Sequence, residues 1–99
     1  MELSTNISDG CAKITVSGMI ATLDSEVFLS ELERLPEGVR GIEFDFEHVS
    51  YISSSGLRVL LAAISIAEKR GGTIKVIKSS EFVREILSVV GFDKLFEVA

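Results

Sequence analysis

The fold class this sequence predicts is a two-layer α/β domain with a mixed sheet, on three observations. First, two alternating apolar runs at the amino end are separated by Ser8-Asp9-Gly10, turn residues that read as an antiparallel hairpin. Second, the hydrophobic period then switches between about 3.6 and 2, giving helix, strand, helix, strand, helix with short connections. Strand–helix–strand units of this kind are parallel with right-handed crossovers. Third, the strands alternate apolar and polar residues instead of running apolar throughout, so the helices are expected mainly on one face of a four- to five-stranded sheet.

In the hairpin, Leu3, Thr5 and Ile7 alternate with polar residues, and Ile14, Val16 and Ile20 continue a two-residue period from Ala12 to Ile20. A first helix is expected over residues 24–35, with Phe28, Leu32 and Leu35 on one stripe and Glu26, Glu31, Glu33 and Arg34 facing water. Asp24 or Ser25 would cap its start, and Pro36-Glu37-Gly38 would end it. Ile42, Phe44 and Phe46 alternate with Glu43, Asp45 and Glu47 in the next strand. The second helix is expected over 55–70, where Leu57, Leu60, Leu61 and Ile64 match a helical face that Val59, Ala63 and Ile66 widen, with Lys69-Arg70 in the last turn and Gly71-Gly72 as the stop. Residues 73–77 form a short strand. Ser79-Ser80-Glu81 caps a third helix whose Val83, Ile86, Leu87 and Val90 share a face, and residues 92–98 pack as a final turn and short element.

Ninety-nine residues make one domain, 1–99, with a single core. Hydrophobic residues are 46% and charged residues 25%, which fits a folded chain. The net charge of −5 argues against binding nucleic acid or an anionic membrane through bulk charge, and favours a partner with a basic or apolar face. The lone Cys11 cannot form an internal disulfide, and neither a signal peptide nor a membrane-spanning run is visible. A soluble, cytoplasmic protein is therefore expected.

The chemistry concentrates at Asp45–Leu61, DFEHVSYISSSGLRVLL, where three serines and a glycine open an apolar helix. Unpaired N–H groups and the helix dipole make such a place receptive to an anion. Ser54 or Ser55 also reads simply as the helix N-cap. His48 is the only histidine, but no nucleophile elbow and no third triad member accompany it, so a serine hydrolase using Ser55 and His48 ranks last. Glu43, Asp45 and Glu47 lack histidine or cysteine companions and read as a solvated strand face; neither a metal nor a cofactor is expected.

Val16-Ser17-Gly18, Leu23-Asp24, Phe44-Asp45-Phe46 and, above all, Val49-Ser50-Tyr51-Ile52-Ser53-Ser54-Ser55-Gly56-Leu57 occur in an order that resembles the STAS domain family, the anti-sigma factor antagonists of bacterial partner-switching systems. The resemblance spans essentially the whole chain. It implies a binding module, not an enzyme, that docks an anti-sigma factor of serine-kinase type and thereby frees a sigma factor. The residue it marks for phosphorylation is Ser55, with Ser54 as the alternative. A PP2C-type phosphatase would restore the unmodified form. The partner surface it implies comprises Asp24, Ser53, Ser54, Ser55, Gly56, Leu57 and Arg58. At the position two before the phosphorylated serine, where regulated members usually carry aspartate, this chain has Ser53. That departure raises the alternative of a non-switching adaptor for a transporter ATPase or a signalling assembly. Weak homodimerisation is a further expectation.

Overall fold

All residues from Met1 to Ala99 are described by a computed structural model. Strands β1 (Glu2–Ser8) and β2 (Cys11–Ile20) form the hairpin, followed by helix α1 (Ser25–Glu33), β3 (Gly41–Ile52), α2 (Ser54–Lys69), β4 (Ile74–Ile77), α3 (Glu81–Val89) and β5 (Glu97–Val98). Short 3₁₀ turns at Thr22–Asp24 and Phe92–Lys94 lead into α1 and β5. The sheet has five strands in the order β1-β2-β3-β4-β5. Only the β1–β2 pair is antiparallel, and the other three are parallel. Strand order that advances in one direction through right-handed crossovers puts all three helices over the same face.

The hairpin turn works because Asp9 and Gly10 both adopt positive φ, 50° and 76°, the conformation of a tight primed turn. Ala12, Ile14 and Val16 on β2, Ile42, Phe44 and Phe46 on β3, and Ile74 and Val76 on β4 point into a 23-residue core. The core is closed from above by Phe28 and Leu32 of α1, by Leu60, Ala63 and Ala67 of α2, and by Val83 and Leu87 of α3. Phe28 meets Phe44 edge-on at 5.7 Å, which seats α1 on the sheet. The opposite sheet face is polar. Lys75 pairs with Glu43 at 3.3 Å, while Lys13 and Lys78 lie 3.9 Å and 4.0 Å from Asp45.

Three sequence expectations are corrected. The alternation on β3 breaks after Phe46, yet the strand runs on to Ile52. Two register shifts against β2, between Thr15 and Ser17 and between Gly18 and Met19, each insert an extra residue into β3. Its buried positions therefore step by three, through Phe46, Val49 and Ile52. On α2 the buried stripe is Gly56, Val59, Leu60, Ala63 and Ala67, while Leu57 and Ile64 are half-buried and Leu61 is exposed. Small residues line its centre, so the helix sits close to the sheet. Val90 is exposed because α3 ends at Val89, one residue before the buried face would return.

At the far end of α2, the Arg70 guanidinium donates to the carbonyls of Leu35 (2.8 Å), Pro36 (2.6 Å) and Val39 (2.8 Å). A residue expected to complement a helix end thus also ties the α1–β3 connection to the helix.

Candidate functional site: the carboxyl end of β2 and β3

The bulges of β3 determine what arrives at the end of the sheet. Ile52 turns inward beside Ile20, and the Ser53 N–H donates to the Ile20 carbonyl at 2.8 Å. Ser53 has extended backbone (φ −77°, ψ 167°), and its Oγ accepts from the Gly56 N–H at 3.1 Å. It is therefore the N-cap of α2, a role the sequence reading gave to Ser54 or Ser55. At 7% exposure its hydroxyl is committed and enclosed. Replacing it with alanine is expected to cost about 1 kcal/mol in denaturant unfolding, whereas Ser53→Asp should cost almost nothing, because aspartate caps as well as serine.

Ser54 and Ser55 begin the helix proper. Ser54 is exposed and Ser55 half-buried, and neither hydroxyl is engaged in a hydrogen bond within the protein. Their N–H groups belong to the first helical turn, which has no intrahelical acceptors, so an anion placed here meets unpaired donors and the positive end of a 16-residue helix. Of the three serines, the geometry leaves two free for chemistry.

Gly56 is buried and shapes the site from beneath. A Cβ there would stand 2.8 Å from Ile20 Cγ2 and 2.9 Å from Ile52 Cγ1. Leu57 is half-buried against the core. Neither Ser53, Gly56 nor Leu57 offers the open surface that a partner would cover first; they hold the turn in place. Arg58 is exposed and borders, with Ser55, Ser25, Glu26 and Leu29, an open groove of about 240 Å³ between the starts of α1 and α2.

Asp24 occupies the position preceding α1, but its carboxylate does not cap that helix. Oδ2 instead accepts from the Ala21 N–H at 2.9 Å and closes the turn between β2 and α1. Ser25 Oγ likewise donates back to the Thr22 carbonyl at 2.8 Å. Both side chains brace the turn that carries Leu23.

That turn supplies what the sequence reading missed. Leu23 is 92% exposed, and Met19, Val27 and Tyr51 are also open to solvent. Met19 and Tyr51 are register partners at the ends of β2 and β3, and Val27 lies in the first turns of α1. Leu23 and Val27 lie in the turn and helix start beside α2, whereas Met19 and Tyr51, which alternate with the inward-facing Ile20 and Ile52, face the helix-free side of the same sheet end. The signal in the sequence is faint: Val27 falls off the Phe28–Leu32 stripe, and Leu23 precedes any periodic element.

His48 is exposed on the first bulge, and its ring approaches only the adjacent Glu47, at 3.8 Å. No hydrogen bond connects it to a serine, and no group of three or more histidine, cysteine, aspartate or glutamate side chains is placed to hold a metal. The stretch leading to Ser54 is strand as far as Ile52. No helix is long and apolar enough to cross a membrane.

A small mixed sheet with helices on one face and a serine-rich helix start at its carboxyl end is the architecture of a known class of regulatory binding domain. The family model described as "Mlab, STAS domain" matches residues 3–97, and the chain belongs to this STAS family. BtrV of Bordetella bronchiseptica, whose name places it among anti-sigma factor antagonists, is 29% identical over 100 residues, covering 100% of this chain and 86% of BtrV. The anti-sigma-B factor antagonist of Bacillus subtilis is 23% identical over 87 residues, covering 88% of this chain and 80% of that protein. The anti-sigma factor antagonist SpoIIAA, solved in its unphosphorylated form, shares the fold with a TM-score of 0.80 at 17% identity, over 99% of this chain and 87% of SpoIIAA. A sulfate transporter family protein from Wolinella succinogenes also shares the fold, with a TM-score of 0.81 at 18% identity over 94% of this chain and 79% of that structure. The fold alone therefore serves more than one setting.

Proposed function

We propose that this chain is an anti-sigma factor antagonist that docks an anti-sigma factor of serine-kinase type, frees a sigma factor, and is released when Ser55 is phosphorylated. The observation that carries this reading is the pairing of two free hydroxyls at a helix start with the exposed apolar side chains of the adjoining turn and helix, Leu23 and Val27. The names of two relatives, both anti-sigma factor antagonists, support an anti-sigma factor as the partner. An apolar rim provides contact area, and a hydroxyl at its margin provides a point where charge can be introduced.

Phosphorylation adds about −1.5 to −2 charges. At a helix amino end the domain tolerates them, so the fold survives while the docking surface gains negative charge. Ser54 is the alternative acceptor, one residue earlier and more exposed. A PP2C-type phosphatase would remove the phosphate and reset the surface. In this scheme the domain is a substrate of enzymes and performs no catalysis itself.

Binding of the anti-sigma partner to a Leu23→Asp variant tests the surface. The expected loss is about thirtyfold, or 2 kcal/mol, the scale of an interface hot spot. Thermal unfolding should be unchanged, because Leu23 is almost fully exposed. Equal affinity in the two proteins would remove this face from the interface.

A non-switching adaptor role is the second reading. The shared fold with a transporter family protein and Ser53 at the usual aspartate position favour it. Co-purification of a transporter ATPase instead of a kinase-type anti-sigma factor would select it.

A further inference from the structure

β1 forms one border of the sheet, and of the usual edge defences it carries only a single charge at its start, Glu2. It runs for seven residues with no bulge against β2, and contains neither proline nor lysine. Edge strands are normally protected by such features, or by being very short. β5, on the other border, is two residues long. No helix or loop covers the β1 edge with backbone hydrogen bonds, since those made outside the regular elements all involve residues from Gly10 onward.

The residues of β1 are also self-complementary. We propose that this edge pairs with the same edge of a second copy, antiparallel about a two-fold axis at Thr5, to make one continuous ten-stranded sheet. In that register Leu3 lies opposite Ile7 of the second copy and Thr5 opposite itself, all on the face that bears the helices. Ser4 lies opposite Asn6, and Glu2 opposite Ser8, on the polar face. The faces follow from the β1–β2 register, in which Leu3, Thr5 and Ile7 align with the buried Val16, Ile14 and Ala12. Every opposing pair of strand residues is aliphatic with aliphatic or polar with polar, and the charge nearest the axis is Glu31 of α1, whose carboxylate accepts from Thr5 Oγ1 at 3.4 Å in each copy. Sliding the register by two residues puts Leu3 opposite Thr5 or Asp9 and loses the aliphatic pair, so one alignment is preferred.

Ile7 is 44% exposed in the single chain, and the pairing gives it a cover. An antiparallel pair of like edges closes on itself, so the product is a dimer and not a fibre. Ser54 and Ser55 stand on α2 at the end of β3, two strands inward from this edge. The pairing therefore leaves them open and does not depend on the switch proposed above.

Sedimentation equilibrium over micromolar to millimolar concentration tests the proposal, using two double variants that share Asn6→Glu. Ser4→Glu/Asn6→Glu sets like charges opposite each other across the axis, whereas Ser4→Lys/Asn6→Glu sets opposite charges there. Both positions are exposed, and in the chain's own hairpin they face Thr15 and Lys13, which accept the changes. The wild type is expected to dimerise reversibly, the first variant at least tenfold more weakly, and the second at least as tightly as wild type. Circular-dichroism melting of all three checks that the fold is retained. A wild type that stays monomeric up to about 1 mM would overturn the proposal, as would a dimer that responds equally to both variants. The first result would leave this edge to a strand of some other protein, and the second would place the dimer contact elsewhere.

Discussion

Ser55→Asp is expected to weaken binding to the anti-sigma partner at least tenfold, about 1.4 kcal/mol, while shifting unfolding free energy by no more than about 0.5 kcal/mol. The two readouts separate for a physical reason. Ser55 is the second residue of α2, where an acidic side chain meets unpaired N–H groups and the positive helix end. Its hydroxyl makes no hydrogen bond in the protein, so nothing internal is lost with it. The partner, in contrast, must bury or face a new anion beside the exposed Leu23 and Val27, and an unpaired charge is costly to desolvate. Isothermal titration against the partner measures the first quantity, and urea unfolding measures the second. Phosphoserine, with about twice the charge of aspartate, should weaken binding further.

Gly56→Val should have the opposite signature: a loss of roughly 3 kcal/mol in stability, reported as a fall in Tm of about 10–20 °C. The glycine lies where α2 meets the ends of β2 and β3. Its missing side chain leaves room for Ile20 Cγ2 and Ile52 Cγ1, 2.8 Å and 2.9 Å from where a Cβ would stand. Both isoleucines are buried and packed, so neither can withdraw without opening the core. Alanine would meet the same atoms but regain about 1 kcal/mol of helix propensity, so its net effect is smaller. Valine adds two methyl groups and gains less from the helix. Differential scanning calorimetry decides the matter, and a Tm within a few degrees of wild type would show that α2 can tilt away from the sheet at little cost.

Much of the fold was legible in the chain because its signals are local. Asp9-Gly10 announces the hairpin, and both residues adopt the positive φ that the turn needs. The alternation of Ile42, Phe44 and Phe46, and the Val83 and Leu87 stripe, mark elements by period alone. Where the reading slipped, a non-local event intervened. The second half of β3 was hidden because two bulges change the inward spacing from two to three, and a bulge is visible only once the partner strand is in place. The N-cap was assigned one residue too late because three adjacent serines are equivalent in sequence. The bond from the Gly56 N–H to Ser53 Oγ distinguishes them only in space.

The residue types of the candidate site were legible in the sequence but their surroundings were not. Ser54, Ser55 and Arg58 stand at or near the surface, while Ser53, Gly56 and Leu57 support the turn from inside. Asp24 has a structural duty, closing the turn through the Ala21 N–H, that neither composition nor spacing could disclose. The exposure of Leu23 was not legible because a single apolar residue in a turn has no period; it shows only once the turn between β2 and α1 is built.

The fate of the Ser54–Ser55 pair in the presence of a kinase-type anti-sigma factor and ATP decides whether this chain is a phosphorylation-switched antagonist. Tandem mass spectrometry of the incubated protein, followed by titration of the purified phosphorylated form against the same partner, makes the measurement. The expected result is one phosphate, on Ser55, and a complex weakened at least tenfold relative to the unmodified chain. A protein that acquires no phosphate at either serine, or that binds equally tightly once phosphorylated, would contradict it.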